Sequence, residues 1–239
     1  MSYRWQCAHE THPGHRRKTN EDAVLVKPDV GLWVVADGMG GHEAGDVASQ
    51  CIAEALDGVD EQPTLAALVD EVEDRLKAVN RSLRDHAQSH CRGRTIGSTV
   101  VTMLANDDVG VALWAGDSRL YRLRAGELTQ ITRDHNPIAD LLDDGVITER
   151  TALAKDTNII TRAVGGQTDL HLDVAVFDVE PWDTFLLCSD GLYREVNDEE
   201  MADVLANSPV ADSVEELLAR CLARGARDNV SIVVSRTEC

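Results

Sequence analysis

At 239 residues the chain can bury a sizeable core without disulfide or metal staples, and one domain spanning 1–239 is the expected organisation. Lys plus Arg number 23 against 42 Asp plus Glu, and the formal charge of −19 sets the surface against phosphate backbones and anionic lipid, so nucleic-acid and membrane roles are disfavoured. Six scattered cysteines without a C-x-x-C pair, no apolar N-terminal leader and no stretch of membrane-span length lead to the expectation of reduced thiols and a cytoplasmic location.

The first strong element is the apolar run LWVVA (32–36), a strand that ends at Asp37 and opens the stretch VVADGMGGHEAGDVAS (34–49). Beyond Gly41, residues Ala44, Val47, Ala48, Cys51, Ile52, Ala55 and Leu56 recur at helical spacing and predict a core-facing helix. A second helix is striped by Leu65, Leu68, Val69, Val72, Leu76, Val79 and Leu83. From Gly97 to Thr132 the period changes to that of strands (STVVTMLA, VGVALWA, SRLYRLR, ELTQIT), with turn residues at Asn106-Asp107-Asp108 and Ala125-Gly126. A polar excursion fills 134–158. Two further strands, LHLDVAVFDV and DTFLLCS, are followed by two helices, the second striped by Val214, Leu217, Leu218, Cys221 and Leu222, and the chain closes on the strand NVSIVVS. Strands in antiparallel runs, with helices grouped before and after them, predict an α+β layered fold. Trp5, Trp33, Trp114 and Trp182 read as core or interface aromatics.

Four aspartates stand at strand ends: Asp37 after LWVVA, Asp117 after VALWAG, Asp190 after TFLLCS and Asp228 before NVSIVVS. An isolated aspartate in such a place is ordinarily a turn or cap residue. Three of these four have a glycine beside them, and carboxylates gathered at the floor of a sheet repel one another unless cations neutralise them. Oxygen-only ligation suits a hard ion such as Mg²⁺ or Mn²⁺. The loop GMGGHEAG competes as a phosphate cradle, but it has no Lys-Ser/Thr and Glu43 interrupts a G-x-G-x-x-G spacing, which leaves metal binding as the better use of these glycines. His9, His12 and His15, and the set His86, His90 and Cys91, have zinc-like spacings; the first should point in different directions and the second lacks a fourth ligand.

Six blocks, TNEDA (19–23), ADGMGGHEAGDVAS (36–49), GSTVV (97–101), AGDSRLYRLRAGELTQITRDH (115–135), LLCSDGL (186–192) and RDNVSIVV (227–234), occur in order and resemble the PPM family of metal-dependent Ser/Thr protein phosphatases, the protein phosphatase 2C-like proteins, in compact bacterial form. The resemblance implies a four-layer α-β-β-α sandwich of two antiparallel sheets flanked by helices, with a two-ion Mn²⁺ or Mg²⁺ centre at one end. It implies that Asp37 bridges both ions, that the Gly38 carbonyl completes one site, that Asp190 and Asp228 hold the other, and that Asp117 serves a third, weaker ion. Glu21 would act through a water on the metals, Asp22 and Asn229 would support the ligands, and Arg17, flanked by Arg16 and Lys18, would clamp the substrate phosphate. His42 stands as the candidate general acid, its plainer alternative being a residue that shapes the helix start. Many relatives carry an aspartate four residues after that of SDG; here that place holds Arg194, which should weaken a third ion site. Residues 135–158 match the flap beside the active site.

The resulting expectation is a monomeric phosphoserine/phosphothreonine protein phosphatase that opposes a Ser/Thr kinase, its partners being phosphorylated proteins and neither nucleic acid nor membrane. Two rivals are a pseudophosphatase acting as a binding module, which loss of the metal aspartates would favour, and a metal-dependent hydrolase of small phosphate esters.

Overall fold

The computed structural model describes residues 3–40, 45–90, 95–137 and 159–238. In chain order the elements are β1 (Arg4–His12), β2 (Asp22–Lys27), β3 (Leu32–Met39), α1 (Gly45–Asp57), α2 (Leu65–His90), β4 (Gly97–Ser98), β5 (Val100–Asn106), β6 (Val109–Ala115), β7 (Arg119–Arg124), β8 (Glu127–Gln130), β9 (Asp173–Asp178), β10 (Thr184–Cys188), α3 (Asp190–Tyr193), α4 (Asp198–Asn207), α5 (Val210–Ala223) and β11 (Val230–Glu238). A five-stranded sheet runs β1-β11-β10-β7-β8, and a six-stranded sheet runs β2-β3-β5-β6-β9 with β4 beside β3. The strand pairings among the described residues are antiparallel.

Alternation along the strands explains the layers. In β3, Leu32, Val34 and Ala36 point outward and pack with Ile52, Leu56, Leu76 and Leu83 of α1 and α2. Trp33 and Val35 point inward and meet Phe185, Leu187 and Val233 of the other sheet. Tyr121, Leu186, Ile232 and Val234 cover the far side of the five-stranded sheet and pack under Met201, Val204, Val214 and Leu217 of α4 and α5. Three apolar seams between four layers give the expected α-β-β-α sandwich, each side chain assigned to its layer by the period of two. Among the described residues no helix is long and apolar enough to cross a membrane.

Several local expectations need correction. Asp37 does not end its strand: β3 continues through Gly38 and Met39, because the two residues of β4 pair with them. Three helices, not two, separate β10 from β11, the extra one being the single turn α3. Val47, counted on the buried stripe of α1, is 40% exposed, and Trp182 is a surface residue at 63%. Strand β9 begins at Asp173, since Leu170 and Leu172 pack under the helical layer instead. The strand β1, at the edge of its sheet, stands out only weakly in the sequence because apolar-polar alternation covers only Arg4–Cys7 before four polar residues, His9–His12, fill its far end. The flap expected over 135–158 lies outside the described residues beyond Pro137.

Candidate metal centre

Asp22 and Asp37 are register partners on β2 and β3. The inward face of these strands carries Val24, Val26, Trp33 and Val35, so the same alternation turns both carboxylates toward the seam between the sheets, at its end. From across the seam, Ser189 Oγ donates to Asp22 Oδ2 at 2.8 Å and itself accepts from the Ser231 N–H at 3.0 Å. Asp190 begins α3 one residue later, and Asp228 stands two residues before β11. Asp117 sits in the connection from β6 to β7, one of the points where the chain passes from one sheet to the other.

Backbone contacts lock these pieces together. Thr99 Oγ1 accepts from the Asp37 N–H at 3.0 Å and lies 2.7 Å from Ser118 Oγ, next to Asp117, while the Thr99 N–H donates to the Asp37 carbonyl at 2.8 Å. Gly38 is a glycine because the chain is crowded there: a Cβ would meet the Gly45 carbonyl oxygen at 2.0 Å and that of Glu21 at 2.5 Å. The Glu21 carboxylate lies against the first turn of α1, hydrogen-bonded to the Gly45 backbone, where it complements the helix N-terminus. Asn229 holds the approach to Glu21 with three bonds: its Oδ1 accepts from the Glu21 N–H at 2.9 Å, and its Nδ2 donates to the carbonyls of Pro13 at 3.0 Å and Thr19 at 3.1 Å. Arg17 Nη2 donates to Asp228 Oδ2 at 2.7 Å.

The electrostatics are those of crowded acids. Burial, and then the charges of Asp22, Asp190, Asp117 and Asp228, push the Asp37 carboxyl well above the usual carboxylate range. Burial raises Asp22 to about 6 against the pull of its serine hydrogen bonds. Burial raises Asp190 to about 7, with Arg194 opposing and Asp117 and Asp228 adding to the rise. Asp117 and Glu21 are raised by burial as well. Asp22 Oδ1 and Asp190 Oδ1 are buried without a hydrogen-bond partner. Among the described residues no three His, Cys, Asp or Glu side chains stand close enough to hold an ion as they are placed, and two guanidinium groups, Arg17 and Arg194, already meet the carboxylates. Orphaned carboxylate oxygens, raised proton affinities and an oxygen-only donor set fit a hard divalent cation.

Of the residues anticipated from sequence, Glu21, Asp22, Asp37, Gly38, Asp117, Asp190, Asp228 and Asn229 are brought to one end of the sandwich, with Arg17 at its rim. His42 lies outside the described residues. Thr99, Ser118 and Ser189 were not anticipated; the signal was available, because each lies inside one of the six blocks, and Ser118 and Ser189 stand next to the candidate ligands Asp117 and Asp190.

A model of the family described as protein phosphatase 2C matches residues 12–233. The chain belongs to the protein phosphatase 2C family. Among this family's members it is 35% identical over 221 residues to the serine/threonine protein phosphatase PstP of Mycobacterium tuberculosis, covering 92% of this chain and 42% of that one, so the chain spans less than half the length of this relative. The structure of PppA, a key regulatory component of T6SS in Pseudomonas aeruginosa, superimposes with a TM-score of 0.89 at 43% identity, covering 99% of both chains. The catalytic domain of PstP in complex with 2 manganese ions superimposes with a TM-score of 0.87 at 33% identity, covering 98% of this chain and 99% of that one.

Proposed function

We propose that the chain is one catalytic domain that hydrolyses phosphoserine and phosphothreonine esters in proteins, dependent on two Mn²⁺ or Mg²⁺ ions held by Asp37, the Gly38 carbonyl, Asp190 and Asp228. The observation that carries this reading is the convergence of Asp22, Asp37, Asp117, Asp190 and Asp228 on one end of the seam, with raised proton affinities and two orphaned oxygens. When bound, the ions supply positive charge that acidifies an attacking water and stabilises the transferring phosphoryl group. Asp22, paired to Ser189, fixes the floor of the site, and Asn229 fixes the Thr19–Glu21 turn. Arg17 is half exposed and free to exchange Asp228 for the phosphate oxygens of an incoming ester, which a planar guanidinium grips in two places. His42 is the proposed proton donor to the departing serine or threonine oxygen.

The named activities of the relatives and the presence of Asp37, Asp190 and Asp228 support an active enzyme over a pseudophosphatase. A cytoplasmic place opposite a Ser/Thr kinase fits this activity. The test is release of phosphate from phosphoserine and phosphothreonine peptides by metal-stripped protein with and without added Mn²⁺. Mn²⁺-dependent turnover that chelation abolishes is the expected result. Turnover of small phosphate esters without any on phosphopeptides would replace the protein substrate by a small one.

A further inference from the structure

The Asp117–Asp190 side of the centre carries a feature that the two-ion reading does not use. Arg194 Nη2 lies 3.1 Å from Asp190 Oδ2 and 3.8 Å from Asp117 Oδ2, so one guanidinium spans two carboxylates from different parts of the fold. Its position is fixed from both directions. Arg194 closes the single turn α3, its N–H donating to the Asp190 carbonyl at 3.1 Å. The neighbouring Tyr193 donates its hydroxyl to the Asp117 carbonyl at 3.1 Å, and the Arg119 guanidinium lies 3.6 Å over the Tyr193 ring while it grips Asp134 through two bonds of 2.9 and 2.8 Å. The turn that carries Arg194 and the loop that carries Asp117 are therefore tied together, and the cation between them is held by the backbone that positions its partners.

Arg17 offers a contrast on the other side of the centre. Its side chain is 49% exposed and meets only Asp228 among the candidate ligands, whereas that of Arg194 is 31% exposed and meets two. A divalent ion seated between Asp117 and Asp190 would have to expel Arg194 from both carboxylates or sit against its positive charge, and either costs binding energy that Asp117 and Asp190 alone must offset. We propose that Arg194 is a built-in cation that takes the place between Asp117 and Asp190 and limits the centre to two divalent ions. This inference rests on the metal-dependent reading above. It assigns Asp117 to Arg194, not to an ion, and makes Arg194 a positioning residue for Asp190.

The experiment is a count of bound Mn²⁺ by equilibrium dialysis of metal-stripped protein against increasing MnCl₂. The native chain should saturate at about two ions per molecule, and Arg194→Met, which keeps the apolar stem and removes the charge, should take up about one more. Arg194→Lys, which keeps a cation, should remain at about two. A third ion in the native chain overturns the proposal whatever the variants do, as does an unchanged count in a folded Arg194→Met protein. Arg194→Asp, which adds a ligand, provides a second route to the extra ion if the methionine variant does not fold. Two ions in every protein together with Mn²⁺-dependent phosphatase activity would remove this inference and leave the functional reading intact; no bound Mn²⁺ at all would remove both.

Discussion

Asp22 and Asp37 face each other across adjacent antiparallel strands, one buried and one half-buried carboxylate in direct register on the face that looks into the sandwich. Opposite like charges in such a pair weaken a sheet, and the Ser189 hydroxyl that donates to Asp22 offsets part of that cost. Replacing Asp37 by Asn removes one of the repelling groups. The metal-free Asp37→Asn protein should unfold at a higher temperature than the metal-free native chain, by a few degrees for about 1 kcal/mol, while losing Mn²⁺-dependent turnover. Calorimetry on chelated samples, alongside a phosphopeptide assay, checks both halves. Substantial turnover by the folded variant at saturating Mn²⁺ would remove Asp37 from the centre.

Arg17 separates grip from fold. Its pair with Asp228 is largely solvated, so Arg17→Ala should change stability by less than about 1 kcal/mol. Loss of a charged hydrogen bond to phosphate, worth about 1.5–3 kcal/mol, should raise KM for a phosphopeptide about tenfold or more with a smaller effect on kcat. An unchanged KM would transfer the clamp to Arg16 or Lys18.

Asn229 is satisfied on both ends of its amide, by Pro13 and Thr19 as acceptors and by the Glu21 N–H as donor. Asn229→Ala leaves these backbone groups to find new partners and should cost about 1–3 kcal/mol in a denaturation midpoint. Added Mn²⁺ should recover part of that loss by binding only the folded form. An Asn229→Ala protein as stable as the native one would show that the Thr19–Glu21 turn holds itself.

His135 gives a pH dependence. It lies buried with its ring stacked 6.0 Å from that of Trp114, accepts from the Gly116 N–H at 3.1 Å and meets Asp173 Oδ2 at 3.1 Å. Burial lowers its pKa, with Asp173 opposing. The unfolded chain therefore binds a proton that the folded chain refuses, so the stability this ring contributes is present above the ordinary histidine pKa of about 6.5 and is lost as pH falls below it. Melting temperatures of His135→Gln should fall less steeply than those of the native chain between about pH 6.5 and 5. Parallel slopes would show that other groups dominate acid unfolding.

How much of this was legible depended on how local each signal was. The inward turn of Trp33 and Val35, and hence of Asp37, follows from strand alternation that any apolar run displays. The candidate ligands were visible because each sits where an apolar run meets a glycine or a turn. The continuation of β3 past Asp37 was not, since it depends on β4, two residues some sixty positions away that carry no pattern of their own. Ser189 is similar: its neighbour Asp190 drew attention, but its bond to Asp22 joins residues from opposite ends of the chain, and only the stacking of the sheets brings them together. Arg194 read as a cation in an awkward place; that it spans Asp117 as well as Asp190 required the turn and the loop to be seen side by side.

Asp22 and Asp37 belong to the six-stranded sheet, Asp190 and Asp228 adjoin strands of the five-stranded one, and Asp117 lies on the strap between them. The centre thus works as a gauge of how far one sheet has slid over the other, and its calibration lies in the aromatic packing within the seam. Trp5 and Trp33, 4.6 Å apart, and Phe177 and Phe185, 5.5 Å apart, each join the two sheets. A change such as Phe185→Leu touches no ligand and leaves both ladders of backbone hydrogen bonds in place, yet close-packed layers shift when a side chain in the seam changes shape. Mn²⁺ affinity should respond to it more sharply than activity at saturating Mn²⁺, so that residues in the apolar seam set the ion concentration at which the protein becomes active.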